Sequence, residues 1–372
     1  MFAHTLRLGR IFGIPVGLHY SWFIVFVLVT LSLVAQFTAE YPDWAAGVQY
    51  SVGVLTSLLL FLSVLLHELG HSVVALRKGI RVRAITLFVF GGVAQIEREP
   101  SRPRDEFQIA VAGPAVSFLL AGAFYGFSRG VESLSERLQV LGQSLGRINF
   151  ILAAFNLIPG FPLDGGRVLR ALLWKGTGSY DRGPRLASAA GQGIEYLFIV
   201  AGVWIAFSKD FVGGLWMGFI GWFLLSAAQA AVAQLDVRRL LRGIRAVDAM
   251  TTDCLVLPRG MSVAELVEEH LLRTGRRCAL VVEGDRLLGL ITLHQVRRVP
   301  RAEWTMTPLE AVAIPESELH AVPPEMELVE VLALMDDYNV NQVPVVRDGR
   351  IIGLIGREQL MHVIRTRLEL GV

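Results

Sequence analysis

Six apolar runs occupy the first part of the chain: Leu18 to Phe37, Tyr50 to Leu76, Phe107 to Phe127, Leu145 to Pro159, Leu186 to Phe207 and Phe211 to Leu235. The hydrocarbon core of a bilayer takes about 20 apolar residues of helix, so the pattern predicts about six transmembrane helices. The fourth run is short, and its end is expected to be irregular backbone held inside the protein rather than facing lipid. Near Asp236 the runs stop and ordinary soluble patterning begins. The expected division is a membrane part at 1–236, a linker at 237–246 and a soluble part from Val247 onward.

Breaks in the apolar pattern add detail. Met1 to Gly17 carries Gly9, Gly13, Pro15 and Gly17, too interrupted for a helix, and reads as a short extended segment at the membrane interface. Ile80 to Glu97, IRVRAITLFVFGGVAQIE, is rich in β-branched and aromatic residues, lacks a helical period and breaks at Gly91-Gly92. It reads as strands or a re-entrant hairpin. Ala112-Gly113-Pro114 opens the third span, where proline is expected to bend or break the helix. Glu195 stands among apolar residues of the fifth; an internal cavity and a partnered structural carboxylate both fit it.

Composition agrees with a membrane part, since 53% of the 372 residues are hydrophobic. A net charge of +2 is too small to point to nucleic acid. The two cysteines, Cys254 and Cys278, lie in the soluble part without C-x-x-C spacing, which argues against a disulfide framework or a structural zinc site. No cleavable leader is expected, because the first long apolar segment lacks a small-residue cleavage site.

The basic residues give an orientation. With six spans, Arg7 and Arg10, the set from Arg77 to Arg104, the set from Arg167 to Arg185, and Arg238, Arg239 and Arg242 share one side, whereas the other side holds only Arg129, Arg137 and Lys209. By the positive-inside rule both termini and the soluble part are cytoplasmic, in a multi-pass protein of the cell membrane.

Candidate chemistry lies in the second span, where FLSVLLHELGHSVVA places His67, Glu68 and His71 in an otherwise apolar run. At helical spacing His67 and His71 share a face and can hold one metal ion. In this HExxH arrangement the glutamate is the general base that takes a proton from the attacking water. A catalytic zinc site takes three protein ligands, and NLIPGFPLDGGR, residues 156–167, sets a carboxylate in a Pro- and Gly-rich break. Asp164 is the candidate third ligand; taken alone, it would equally serve as a helix N-cap.

HELGH on a membrane helix, followed two spans later by N-x-x-P-x-x-P-L-D-G-G, resembles the site-2 protease family of intramembrane zinc metalloproteases (peptidase family M50), across the whole membrane part and without a PDZ-like insertion. The resemblance implies one Zn2+ per chain held by His67, His71 and Asp164, Glu68 as base, and Asn156 as a substrate-positioning residue. It also implies hydrolysis of a peptide bond in or near a transmembrane segment of a membrane protein, that is, regulated intramembrane proteolysis. A substrate helix must unwind before attack, and Gly91, Gly92 and Val93 are expected to offer it a strand edge.

The soluble part repeats itself. The segment from Val247 and the one from Ala311 each read strand, amphipathic helix, two strands joined by a tight turn, then helix. The duplication resembles a tandem pair of CBS domains, placed at 247–300 and 301–372. Such pairs often bind adenine nucleotides and often dimerise, so a homodimer is expected. Nucleotide binding is expected to be weak: Thr292 with Gln295, and Gly356 with Gln359, stand where binding copies carry Thr or Ser and then Asp. Arg276, Arg277 and Arg347 remain as attractors for phosphate. The expected fold is therefore a polytopic α-helical membrane protein with a small β or re-entrant element, followed by a C-terminal α/β tandem CBS domain.

A transporter or channel gated by the CBS pair, using His67, Glu68, His71 and Asp164 as an ion path, is the competing reading. Repeated membrane halves, common in transporters, are not seen in the sequence.

Overall fold

Each of the six apolar runs centres on a helix in the computed structural model, since backbone withheld from water satisfies itself most simply that way. Residues 5–89, 91–97, 100–178, 182–252, 255–274, 278–284 and 286–371 are described. The helices are α1 (Ser21–Glu40), α2 (Ala46–Arg77), α3 (Pro103–Gly130), α4 (Glu136–Asn156), α5 (Asp164–Thr177), α6 (Arg182–Ser208) and α7 (Phe211–Leu241). Among the described residues, five are long and apolar enough to cross a membrane: α1, α2, α3, Ala187–Ser208 of α6 and Phe211–Ala230 of α7. The count of six expected from the pattern thus includes one helix, α4, that is not apolar enough, because it carries Gln143, Arg147 and Asn149 in its middle. Its run does end in irregular backbone at 157–163. Of the bend or break expected at Pro114, the break does not occur, and α3 continues through it.

The interrupted N-terminal stretch and the Gly91-Gly92 stretch belong to one sheet. Strands β1 (Thr5–Ile11), β2 (Ile14–His19), β3 (Val82–Phe88) and β4 (Gly91–Ile96) lie in that order. The outer pairs are antiparallel hairpins, and β2 pairs with β3 in parallel, which the intervening α1 and α2 permit as a crossover. Ile14, Val16 and Leu18 from β2 and Ile85 and Leu87 from β3 bury against Phe61, Leu65 and Leu69 of α2. The sheet is thereby fixed to the helix that carries the two histidines, with β4 as an edge strand paired on one side only among the described residues.

Ala233–Val372 forms a second compact unit, and Met1–Val232 the first. In the second, β5 (Leu255–Pro258), β6 (Cys278–Glu283), β7 (Arg286–Thr292) and β8 (Ile314–Pro315) make one sheet, and β9 (Gln342–Arg347) with β10 (Arg350–Gly356) another. The repeat is visible in each antiparallel pair followed by a helix, Leu293–Arg298 in one copy and Arg357–Leu370 in the other. The opening strand of the second copy is reduced to a single bridge, Val322 with Val345. Leu241 and Ala246, inside the stretch expected to link the two parts, are fully buried in this unit's core with Leu328 and Val331. Cys254, Arg276, Arg277 and Asp285 lie outside the described residues.

Candidate functional site

One helical turn sets the histidines together, and the helices packed on α2 decide what they meet. His67 Nε2 and His71 Nε2 are 3.3 Å apart, and each is 3.1 Å from Asp164 Oδ2. Asp164 opens α5 but makes no cap: the residue before it is the N-cap, and its side chain caps nothing. Its carboxylate is turned to the imidazoles instead, so it does not serve as the helix cap. Both histidines are buried.

The other ring nitrogens are held from α3. His71 Nδ1 lies 2.6 Å from the carbonyl oxygen of Ile109, which can only accept, so Nδ1 carries the proton and donates. The neutral ring then turns a lone pair at Nε2 toward the centre. His67 Nδ1 is 2.9 Å from Ser117 Oγ. Two imidazole nitrogens and a carboxylate oxygen converge within 4.8 Å, the donor types and spacing that a metal ion takes. This donor set fits a metal ion such as Zn2+.

Gly113 makes the convergence sterically feasible. A Cβ at that position would overlap His71 Nε2 and lie 2.7 Å from His67 Nε2, so a side chain there would occupy the centre of the site. Ala112-Gly113-Pro114 therefore matters through its glycine rather than through a helix break at its proline.

Glu68 is next to the three converging residues but not among them. It faces β4: a Cβ on Gly92 would collide with its side chain, and the Ala94 N–H donates to its carboxylate. Ala94 thus turns its N–H away from β3. Because backbone groups alternate along a strand, Val93, opposite Thr86, turns its own N–H toward β3. The unpaired edge of β4 accordingly runs along Glu68 and presents Gly92 and Ala94, with the half-exposed Val93 side chain beside them.

The Asn156 amide donates to the Leu152 carbonyl of its own helix at 3.0 Å. The residue ends α4, separated from Asp164 by the loop 157–163, and is not one of the three residues that converge. Two contributors lacked a signal in the sequence. Ser117 is one small polar residue in an apolar run, and only its contact with His67 distinguishes it. Arg170 of α5, a basic residue in the orientation count above, is buried and hydrogen-bonded to the fully buried Glu106 of α3, Nε to Oε1 at 2.6 Å. That pair fixes the helix carrying Asp164 against the helix that orients the histidines.

In the second unit, the positions where nucleotide-binding copies carry Thr or Ser and then Asp are engaged locally. The Thr292 hydroxyl donates to Gln295 Oε1, and the Gly356 N–H donates to Gln359 Oε1 at 2.9 Å. Both glutamines serve the first turn of their own helices.

Comparison with known proteins gives concordant matches. The profile of Peptidase family M50 matches residues 55–136 and 129–201, and that of the CBS domain matches 244–301 and 311–366. The chain is 36% identical over 370 residues to sll0528 of Synechocystis sp., named as a zinc metalloprotease, covering 98% of this chain and 96% of that one. It is 32% identical over 369 residues to Rip3 of Mycobacterium tuberculosis, similarly named, covering 97% and 93%. Among solved structures, the Site-2 Protease from Methanocaldococcus jannaschii matches 61% of this chain and 94% of its own, with 30% identity and a TM-score of 0.41.

Proposed function

Because the chain belongs to peptidase family M50 as a site-2-protease-type zinc metalloprotease with a CBS pair, we propose that it cleaves a transmembrane protein substrate in or near its membrane-spanning segment, in regulated intramembrane proteolysis. The observation that carries this reading is the convergence of His67, His71 and Asp164 beside a glutamate that faces a free strand edge. In it, His67, His71 and Asp164 hold one Zn2+, and Ser117 and the Ile109 carbonyl orient the two imidazoles. Bound zinc supplies Lewis acidity, lowering the pKa of water toward about 7 and polarising the scissile carbonyl. Glu68 accepts the proton of the attacking water and passes it to the leaving amine. The edge of β4 pairs with the unwound substrate through Gly92 and Ala94, with Gly91 opening the strand and Val93 contributing its side chain because its N–H is turned to β3; the substrate's backbone groups need such partners once its helix opens. Asn156, at the end of α4, meets the substrate on its far side.

We read α4 as the sixth span: 21 residues rise about 31 Å, and its polar Ser144 and Asn149 are buried inside the protein. Six spans put both termini and the CBS pair in the cytoplasm of a multi-pass cell-membrane protein, by the distribution of basic residues given above. The protease part is 1–236, and 247–300 and 301–372 are the CBS copies, acting by dimerisation or docking more than by nucleotide. The test is to capture membrane partners on the purified Glu68→Gln protein and identify them. Single-span proteins that the wild type then cleaves within or beside the span support the reading; wild-type protein that leaves every captured partner intact contradicts it.

A further inference from the structure

The end of the first unit remote from its sheet carries a second cleft, away from the histidines. Chain direction places it: α1 leaves β2 and ends at Glu40, while α3 leaves β4 and runs to Gly130 before α4 returns. A groove of about 740 Å3 lies there between the end of α1 and the facing sides of α3 and α4. Its volume is in the range of small-molecule sites, about 300–1,000 Å3.

The groove is polar at one end and apolar at the other. Arg147 of α4 and Glu40 of α1 both line it, with Gln143 and Tyr41 beside them. Arg147 is exposed and makes no ion pair or hydrogen bond among the described residues. Among the described residues Glu40 takes a hydrogen bond from Gln36, at 2.9 Å, and forms no ion pair with Arg147, so the two opposite charges share a cleft without direct contact. A cation on a helix within a membrane bundle calls for an anionic partner. The level of this end is marked by Tyr41 stacked on Trp44 at 4.6 Å, with Trp44 Nε1 donating to Glu136 at 3.1 Å. Such aromatic clusters sit at the headgroup region. At the other end Phe118 and Phe150, packed edge to face at 5.6 Å, flank the opening at Gly122, where an added Cβ would meet no neighbouring group within 4 Å.

We propose that this groove binds one phospholipid with a zwitterionic amine headgroup, phosphate on Arg147 and ammonium on Glu40, its acyl chain running along Gly122 toward Phe118 and Phe150. Guanidinium matches phosphate through two parallel hydrogen bonds, and the carboxylate accepts from the ammonium. Arg147 and Glu40 both act electrostatically on Tyr41 at the aromatic end of the cleft, and Phe118 and Phe150 line its apolar end, which is the polarity of a lipid entering a bilayer. A substrate segment would find the same apolar floor but has no reason to require both charges, which is why the lipid is preferred. The assignment does not depend on the protease reading.

The test is native mass spectrometry of the full chain in bilayers of phosphatidylethanolamine, phosphatidylcholine and phosphatidylglycerol, with a photocrosslinker at Phe150. The wild type is expected to retain phosphatidylethanolamine in preference to the others. Arg147→Gln should lower retention of every phospholipid about tenfold, the equivalent of one charge-assisted contact. Glu40→Gln should remove the preference over phosphatidylglycerol while leaving retention. Gly122→Leu touches neither charge and replaces a poor helix former, so it should abolish retention with an unchanged or raised Tm. Equal retention of all three lipids by the wild type, retention surviving Gly122→Leu, or crosslinks from Phe150 to a protein instead of a lipid would each overturn the proposal.

Discussion

Residue by residue, the site divides into groups that the motif names and groups that hold them. Removing a ligand and removing an orienting group should differ in degree. Asp164→Ala leaves two histidines for the ion, and zinc content after dialysis is expected to fall along with activity. A fully loaded variant would show that Asp164 is no ligand. Ser117→Ala keeps all three ligands but frees the His67 ring. Outer partners of ligating histidines are worth about 10–100-fold in metal affinity, and a chelator competition should show a loss in that range. Affinity equal to wild type would mean that packing alone orients His67. The HExxH spacing was legible because two histidines and a glutamate in an apolar span are costly and conspicuous. Ser117 was not, since a serine costs little in a membrane helix, and its meaning depends on a contact between residues 50 apart in sequence.

Among elements, the same contrast holds. The apolar runs forecast their helices because length and hydropathy are local properties, and Ile80 to Glu97 betrayed its strands through β-branching and its glycine pair. The parallel pairing of β2 with β3, and hence the union of two broken stretches into one sheet, depends on how α1 and α2 return the chain, which no local pattern records. The count of six blurred at α4 because its polar residues are either buried or line the groove. Arg170 shows a limit of charge counting: a basic residue near a span end can be an internal strut. Glu106→Gln should leave the Arg170 cation buried without its counter-charge, at a cost of about 3–5 kcal/mol, whereas replacing both by apolar residues of similar volume should recover much of it. Thermal unfolding in detergent measures this; a Tm unmoved by Glu106→Gln would remove the pair from the fold's supports. Proline at Val93 should break the β3–β4 hairpin itself, because that N–H faces β3, lowering cleavage with little change in zinc content. Unchanged cleavage would separate β4 from substrate pairing.

At the scale of the whole molecule, a membrane protease is joined to a CBS pair in which Gln295 and Gln359, at the positions where binding copies carry Asp, bond within their own copies. Gln295 and Gln359 would have to give up bonds to Thr292 and Gly356 and would bring no charge in exchange. Calorimetric titration of the full chain with ATP or AMP is expected to give a Kd weaker than about 10 µM, near −6.8 kcal/mol; tighter binding would make nucleotide the natural trigger for proteolysis. Everything else rests on Glu68 acting as base while the three neighbouring donors hold the ion. The most direct measurement is zinc per chain and cleavage rate, side by side, for wild type and Glu68→Gln acting in a bilayer on a captured membrane substrate. Deleting the base without deleting a ligand should leave zinc near one per chain and remove nearly all turnover. Cleavage by Glu68→Gln at a rate near that of the wild type, with zinc in place, would contradict the account.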